Sequence, residues 1–204
     1  QGLEEPVKNA ALIKKNLLKT ISFNPDIIST PECLNIITND KSHLFKYVTY
    51  QSKCPVLNVC IKFAKNYKKI VHVGSLLLKT KNSKKLLNRS FLINKDGKII
   101  DYYDKIHLFD VNINLKEQHR ESQSFNKGKR IVVCKIKQVT LGLSICYDIR
   151  FPTLFRNLTK KGAQIIFIPS AFTVPTGKDH WETLLRTRAI ENSVFVVATA
   201  QCGR

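Results

Sequence analysis

At 204 residues, 43% of them apolar and 24% charged, the chain is long enough to bury a core as one domain, too short for two catalytic domains, and neither disordered nor fibrous in composition. Its net charge of +19 comes from 26 Lys and 8 Arg against 15 Asp and Glu, spread along the chain among 15 Asn, which reads as solvated surface; a nucleic-acid reader would cluster Arg with stacking aromatics. The longest apolar runs, such as 165–169 and 193–198, fall far short of the ~18 residues of a membrane span.

Residues 4 to 20 carry Val7, Ala10, Ala11, Ile13, Leu17 and Leu18 at helical spacing behind Pro6, predicting an amphipathic helix. The segment from Pro25 to Glu32 reads as a short buried strand that opens into a loop at Pro31, placing Glu32 just past a strand's carboxyl end. A polar, uninformative stretch follows. A helix over 56–69 and a strand from Ile70 to Leu78 then begin a β-α-β alternation, and 90–94 and 99–103 form a hairpin about an Asp96-Gly97 turn, with Lys105 just beyond it. Residues 112–130 read as a polar loop, long enough to be functional. Strands over 131–136 and 140–145, Cys146, a helix over 153–161 closed by Gly162, and a strand over 164–168 make a βαβ unit with a cysteine at its turn. A helix over 180–191 and a strand over 194–199 complete the chain, which contains neither a P-loop nor a GxGxxG.

Six cysteines, Cys33, Cys54, Cys60, Cys134, Cys146 and Cys202, lack a CxxC pair and zinc-finger spacing, so neither a structural metal nor a disulfide framework is expected and a reducing, cytoplasmic setting fits best; organelle targeting upstream of Gln1 stays open. Two Asn-x-Ser/Thr triplets, at Asn88 and Asn157, carry no weight as glycosylation signals. Cys146 follows the buried run 141–145 and precedes a turn into a helix, a context that holds a thiol where a helix dipole and backbone N–H groups favour thiolate and oxyanion. From the residues alone, nucleophile and buried core cysteine are equally good readings. As a nucleophile it needs a base, and either His180 with Glu182 or a carboxylate with a lysine would serve.

Three segments, PECL at 31–34, DKIHLFD at 104–110 and CYDIRFP at 146–152, resemble in order and spacing the signatures of the nitrilase or carbon–nitrogen hydrolase superfamily. RESQSFNKG, PSAF at 169–172, GKDHWETLLRTRAIEN at 177–192 and the terminal ATAQCGR extend the resemblance over essentially the whole chain. It implies an α/β fold, a four-layer αββα sandwich of mixed sheets flanked by helices. Within the superfamily the chain is similar to the Nit branch, most closely to the amidases of deaminated glutathione; the omega-amidases, which act on α-ketoglutaramate, share HLFD and depart in the AQCGR region. The resemblance implies that Cys146 attacks the amide carbon, Glu32 is the general base, and Lys105 and the backbone N–H of Tyr147 hold the oxyanion. Glu121 aligns with a second glutamate that positions Lys105 and the substrate. Phe172, Thr173, His180 and Trp181 fall where family members line the acyl pocket, although core packing serves Phe172 and Trp181 nearly as well; Arg150 and Arg188 suit a bidentate contact with a substrate carboxylate, for which a structural ion pair, Arg188 with Glu191, is an equal alternative, and Tyr147 and Arg150 complete the substrate-binding set. No metal or organic cofactor is expected, the partner is a small-molecule amide, and a homodimer through the helices after Cys146 and over 180–191 is implied.

Thr153 stands where the family usually has Glu, and Asp104 where a basic or polar residue precedes the lysine, so Asp104 is expected to weaken the positive potential around Lys105. Residues 1–204 read as a single domain of the family that lacks its first strand and its C-terminal part. A non-catalytic basic scaffold on the same fold is the reading of a different class.

Overall fold

A computed structural model describes residues 3–112 and 118–203. The chain runs α1 (Pro6–Lys19), β1 (Ile27–Ser29), α2 (Lys41–Tyr47), α3 (Pro55–Tyr67), β2 (Ile70–Thr80), β3 (Ser83–Ile93), β4 (Ile99–Asp104), β5 (Asp110–Asn112), β6 (Gln118–Arg120), β7 (Val133–Ile136), β8 (Val139–Leu143), α4 (Pro152–Lys160), β9 (Ile165–Ser170), α5 (Val174–Asn192) and β10 (Phe195–Ala200). Two four-stranded sheets, ordered β1-β2-β3-β4 and β10-β9-β8-β7, form the middle layers. Each is mixed: β1 runs parallel to β2, and β10, β9 and β8 run parallel to one another, while the remaining pairs are antiparallel.

Apolar periodicity decides which face each element buries. In α1, Ala10, Ile13 and Leu17 pack against Val56, Leu57, Cys60, Phe63 and Ala64 of α3 and, beneath them, Val71, Val73 and Phe91. Val7 and Leu18 face solvent, so the apolar stripe of α1 is narrower than its composition implies. Between the sheets, Ile70, Leu92 and Tyr103 meet Leu141, Leu143, Ile145 and Phe167. On the far side, Leu154, Phe155 and Leu158 of α4 pack on Ile166 and Ile168 with Leu184 and Leu185 of α5. The result is the α-β-β-α layering the sequence implies.

A polar contact joins the sheets where Ser29 Oγ of β1 meets Thr199 Oγ1 of β10 at 3.0 Å. His72 of β2 bridges Ser29 Oγ at 2.9 Å and Ser90 Oγ at 2.9 Å, with its ring centroid 4.4 Å from that of Phe167. A side chain at Gly74 has no room, because a Cβ there would sit 1.9 Å from the Thr30 carbonyl oxygen and 2.6 Å from Pro169. That close approach sets the loop after β1 directly against the end of β9.

Several elements depart from the sequence reading. The stretch after β1 holds α2, capped by Asp40, whose carboxylate accepts from the N–H groups of Ser42 and His43. β3 starts at Ser83 and α5 at Val174, both well before the expected positions. Within the expected loop of 112–130, β5 and β6 pair as a ribbon and Glu121–Gln123 form a 3-10 turn, while 113–117 lie outside the described residues, as do Gln1, Gly2 and Arg204. All six cysteines are free thiols. Among the described residues, no helix is long and apolar enough to cross a membrane.

Candidate active site

The strand ends deliver the reactive groups to one place. Glu32 follows β1, Lys105 follows β4, Cys146 lies just past β8, and Ala171 comes directly after β9. Glu32, Lys105 and Cys146 are all buried, at 3%, 3% and 8% exposure, which puts their charges in a medium where electrostatic interactions are strong. Lys105 Nζ donates to Glu32 Oε1 at 3.0 Å and to Glu121 Oε2 at 3.0 Å. The second oxygen of each carboxylate is also engaged: Glu32 Oε2 accepts from the Ala171 N–H at 2.7 Å, and Glu121 Oε1 from Lys105 at 3.3 Å. Glu121 Oε2 further accepts from the Phe109 N–H at 2.6 Å.

Two residues here adopt left-handed backbone, Cys33 with φ 56° and Cys146 with φ 48°, one beside Glu32 and the other at the thiol itself. The turn at Cys146 is held by Asp148, which is fully buried and accepts from the Ile145 N–H, the Tyr103 hydroxyl, and both the N–H and the ring of His107. His107 in turn stacks on Phe151 with centroids 3.7 Å apart. Asp148 therefore locks the cysteine turn to the segment that carries Lys105. Gly128 closes the other side, its N–H donating to the Lys105 carbonyl at 2.7 Å, and a Cβ there would lie 2.0 Å from the Asp104 carbonyl oxygen.

Burial raises the Glu32 carboxyl, but the Lys105 charge and hydrogen bonding with Cys146, Lys105 and Asn88 outweigh it and hold Glu32 below the usual carboxylate range. Burial likewise works against charge on Lys105, and the two glutamates overcome it, so the ammonium is retained well above neutral pH. The Cys146 thiol is pushed well above its ordinary value by burial and by the Glu32 charge, against the opposing effect of Lys105. This corrects the expected preformed thiolate. No α-helix starts at Cys146: a five-residue 3-10 turn, Cys146–Arg150, intervenes before α4, and a carboxylate rather than a helix dipole is the dominant charge on the sulfur. The arrangement is a protonated thiol facing an ionised base, with an ammonium alongside.

These groups sit at the bottom of a cleft of about 830 Å³, the size of a small-ligand site. Tyr147, Phe172 and Thr173 lie on its wall together with Phe109, Cys33 and Asn88. Arg150, His180 and Trp181 are not among its lining residues: Arg150 donates to His180 Nδ1 at 3.1 Å, and Trp181 packs on Phe172 at 4.9 Å and into the α4 cluster. Arg188 makes its ion pair with Glu191 at 2.7 Å and donates to the Ile149 carbonyl, as a structural residue. Asp104 is clasped by Arg89 through two hydrogen bonds of 2.7 and 2.8 Å, which occupies the charge that was expected to weaken the field at Lys105. Sequence reading passed over Asp148 and Asn88. Asp148 lies inside the CYDIRFP segment, where an acidic residue two positions past a buried turn is a visible signal; Asn88 gave none beyond a discounted triplet.

Comparison with known proteins points one way. Residues 3–204 match the Carbon-nitrogen hydrolase family. A deaminated glutathione amidase of Yersinia enterocolitica is 36% identical over 198 residues, covering 96% of this chain and 68% of that protein. The omega-amidase NIT3 of Saccharomyces cerevisiae is 32% identical over 183 residues, covering 88% of this chain and 63% of that protein. Among solved structures, the NitFhit protein of Caenorhabditis elegans superposes with a TM-score of 0.90 at 33% identity, covering 100% of this chain and 50% of that one. The chain thus spans between half and about two thirds of the length of these relatives.

Proposed function

The chain belongs to the carbon–nitrogen hydrolase family and has the αββα fold of the nitrilase superfamily, and we propose that it is a thiol-dependent amidase that hydrolyses the amide of a small ω-amide acid, deaminated glutathione above all, through a thioester on Cys146. The observation that carries this reading is the convergence of a buried thiol, an ionised Glu32 and an ammonium at the floor of one cleft.

In this mechanism the sulfur attacks the amide carbon as its proton passes to Glu32. The negative charge moves to the carbonyl oxygen, which Lys105 Nζ and the Tyr147 N–H stabilise; losing one such donor typically costs ~10²- to 10³-fold in rate. Glu32 returns the proton to the leaving nitrogen, the amine half of deaminated glutathione (or ammonia, from a primary ω-amide) departs, and the acyl group remains on sulfur. Water then gives a proton to the same carboxylate, attacks the thioester, and releases the acid and the thiol. Glu121 keeps Lys105 in place without taking part in proton transfer. No step calls for a cofactor.

The preference for an anionic substrate is supported at the cleft mouth, where Lys41 and Arg120 line an exposed rim above the buried floor. The similarity to the Yersinia enzyme supports deaminated glutathione; the omega-amidase reading is the alternative, favoured by the similarity to the yeast enzyme. A homodimer is supported by α5, whose 19 residues bury only Arg188 and leave Val174 and Ile190 79% and 78% exposed.

Release of the amine half from deaminated glutathione, and of ammonia from α-ketoglutaramate, beside the neutral methyl esters of each, tests the proposal. The acid forms should turn over and the esters poorly, and Cys146→Ala and Glu32→Gln should each abolish turnover. Unchanged turnover in Cys146→Ala, or no turnover of any ω-amide by the folded wild-type chain, would overturn it and leave a non-catalytic scaffold.

A further inference from the structure

Asn88 lies in the middle of β3, opposite Leu77 of β2, and is 2% exposed. Its side-chain Nδ2 donates to Glu32 Oε1 at 2.9 Å and to Glu121 Oε1 at 3.4 Å. Its backbone carbonyl accepts from the Lys105 N–H at 3.0 Å. One residue thus touches all three charged members of the site, each of which comes from a different part of the chain. Its own Oδ1 is buried and, among the described residues, has no hydrogen-bond partner. Turning the amide over would not relieve this, since it would set an oxygen against two carboxylates.

An unsatisfied buried oxygen destabilises the fold, and an apolar side chain at this position would keep the strand ladder and avoid the cost. What an apolar side chain would lack is the two N–H donors. They matter because Lys105 alone cannot fix both glutamates: its ammonium already makes two contacts with Glu121, and a neutral donor on the other side keeps Glu32 Oε1 from following the lysine away from the thiol. We propose that Asn88 is a positioning residue of the reaction, whose amide holds Glu32 in register between Lys105 and Cys146. Arg89, the next residue, supports the arrangement by removing Asp104 from the lysine's surroundings. The triplet Asn88-Arg89-Ser90 thereby has a use, and its buried asparagine cannot accept a glycan.

The inference rests on Glu32 being the base. The groups facing it are Cys33 from its own loop, Asn88 from β3, Lys105 after β4, Glu121 from the 3-10 turn and Cys146 after β8. Asn88→Leu conserves shape and removes both donors. It should lower kcat by ~10-fold or more with little change in KM, and move the acid limb of the kcat/KM profile to higher pH, because the carboxylate has lost a hydrogen bond that favours its ionised form. The same displacement should appear in the pH dependence of Cys146 alkylation by iodoacetamide, which needs no amide substrate. Alkylation therefore reads the positioning role even where turnover of the chosen amides fails, so loss of the amidase reading and loss of this inference are separable. A purely structural asparagine would lower the melting temperature and leave both acid limbs in place, and that result would overturn the inference. Should Asn88→Leu fail to fold, Asn88→Ser, which stays polar but is too short to reach both carboxylates, carries the same measurements and the same criteria.

Discussion

The chemistry proposed at Cys146 depends on three side chains, Glu32, Lys105 and Glu121, whose charges are coupled through the lysine. Lys105 is 3% exposed between two carboxylates at 3.0 Å each, so a longer, planar guanidinium has neither the room nor the point-charge geometry to replace it. Lys105→Arg should lower kcat/KM by ~10²-fold or more while the protein stays folded, as read from steady-state kinetics beside a thermal melt; near wild-type kinetics would show that the oxyanion is held elsewhere. At this scale much could be read from sequence. Glu32, Lys105 and Cys146 stand in short segments of recognisable order, and the structure brings all three together. The protonation state of the thiol could not be read, because it depends on the balance between burial, Glu32 and Lys105, which is a property of distances. The acyl-pocket residues were divided for the same reason: Tyr147, Phe172 and Thr173 reach the cleft, while Trp181, at helical spacing on α5, turns into the core.

Among the elements, β2 carries the clearest pH signature. Burial lowers the His72 imidazole to about 3, far below its unfolded value of about 6.5. Between those two values the unfolded chain binds a proton that the native state does not. Stability is therefore full above about pH 6.5 and is lost as the pH falls towards 3, by about 1.4 kcal/mol per pH unit inside that window. Glu32, held below its ordinary value, adds stability that is present above the unfolded carboxylate range and is lost as the pH falls through its folded value, so the two act in the same direction. In His72→Gln the loss of stability between about pH 7 and about pH 5, measured by urea unfolding, should be clearly smaller than in the wild type; an equal loss would place the acid sensitivity in other groups. The elements that sequence reading missed share a physical cause. α2 is only seven residues and announces itself by the Asp40 cap alone, and the first half of β3 presents Lys84, Lys85 and Asn88 in place of an alternating apolar pattern. By contrast α1, α3 and α4 were legible because each buries a stripe at helical spacing, and α4 also ends at Gly162 with φ 89°.

Over the whole molecule, the two sheets act as a clamp. One sheet supplies Glu32 after β1 and Asn88 and Lys105 from the antiparallel hairpin of β3 and β4, and the other supplies Cys146 and the Ala171 N–H from the turns after the parallel strands β8 and β9. Of the cations that give the chain its strong positive charge, Lys41 and Arg120 stand at the cleft rim. The layered α/β architecture was legible from the alternation of elements and the resemblance together. The cleft was not, because it is walled by residues from eight separate segments whose approach is set by sheet packing and by close contacts such as that at Gly74. The proposed reaction turns on acyl transfer through sulfur. Intact-protein mass spectrometry on samples quenched within one turnover of an ω-amide tests it most directly. The expected result is one acyl group per chain, located on Cys146 and accompanied by one equivalent of released amine or ammonia, and none in Cys146→Ala. Steady release of amine or ammonia with no adduct on any cysteine would contradict acyl transfer through sulfur.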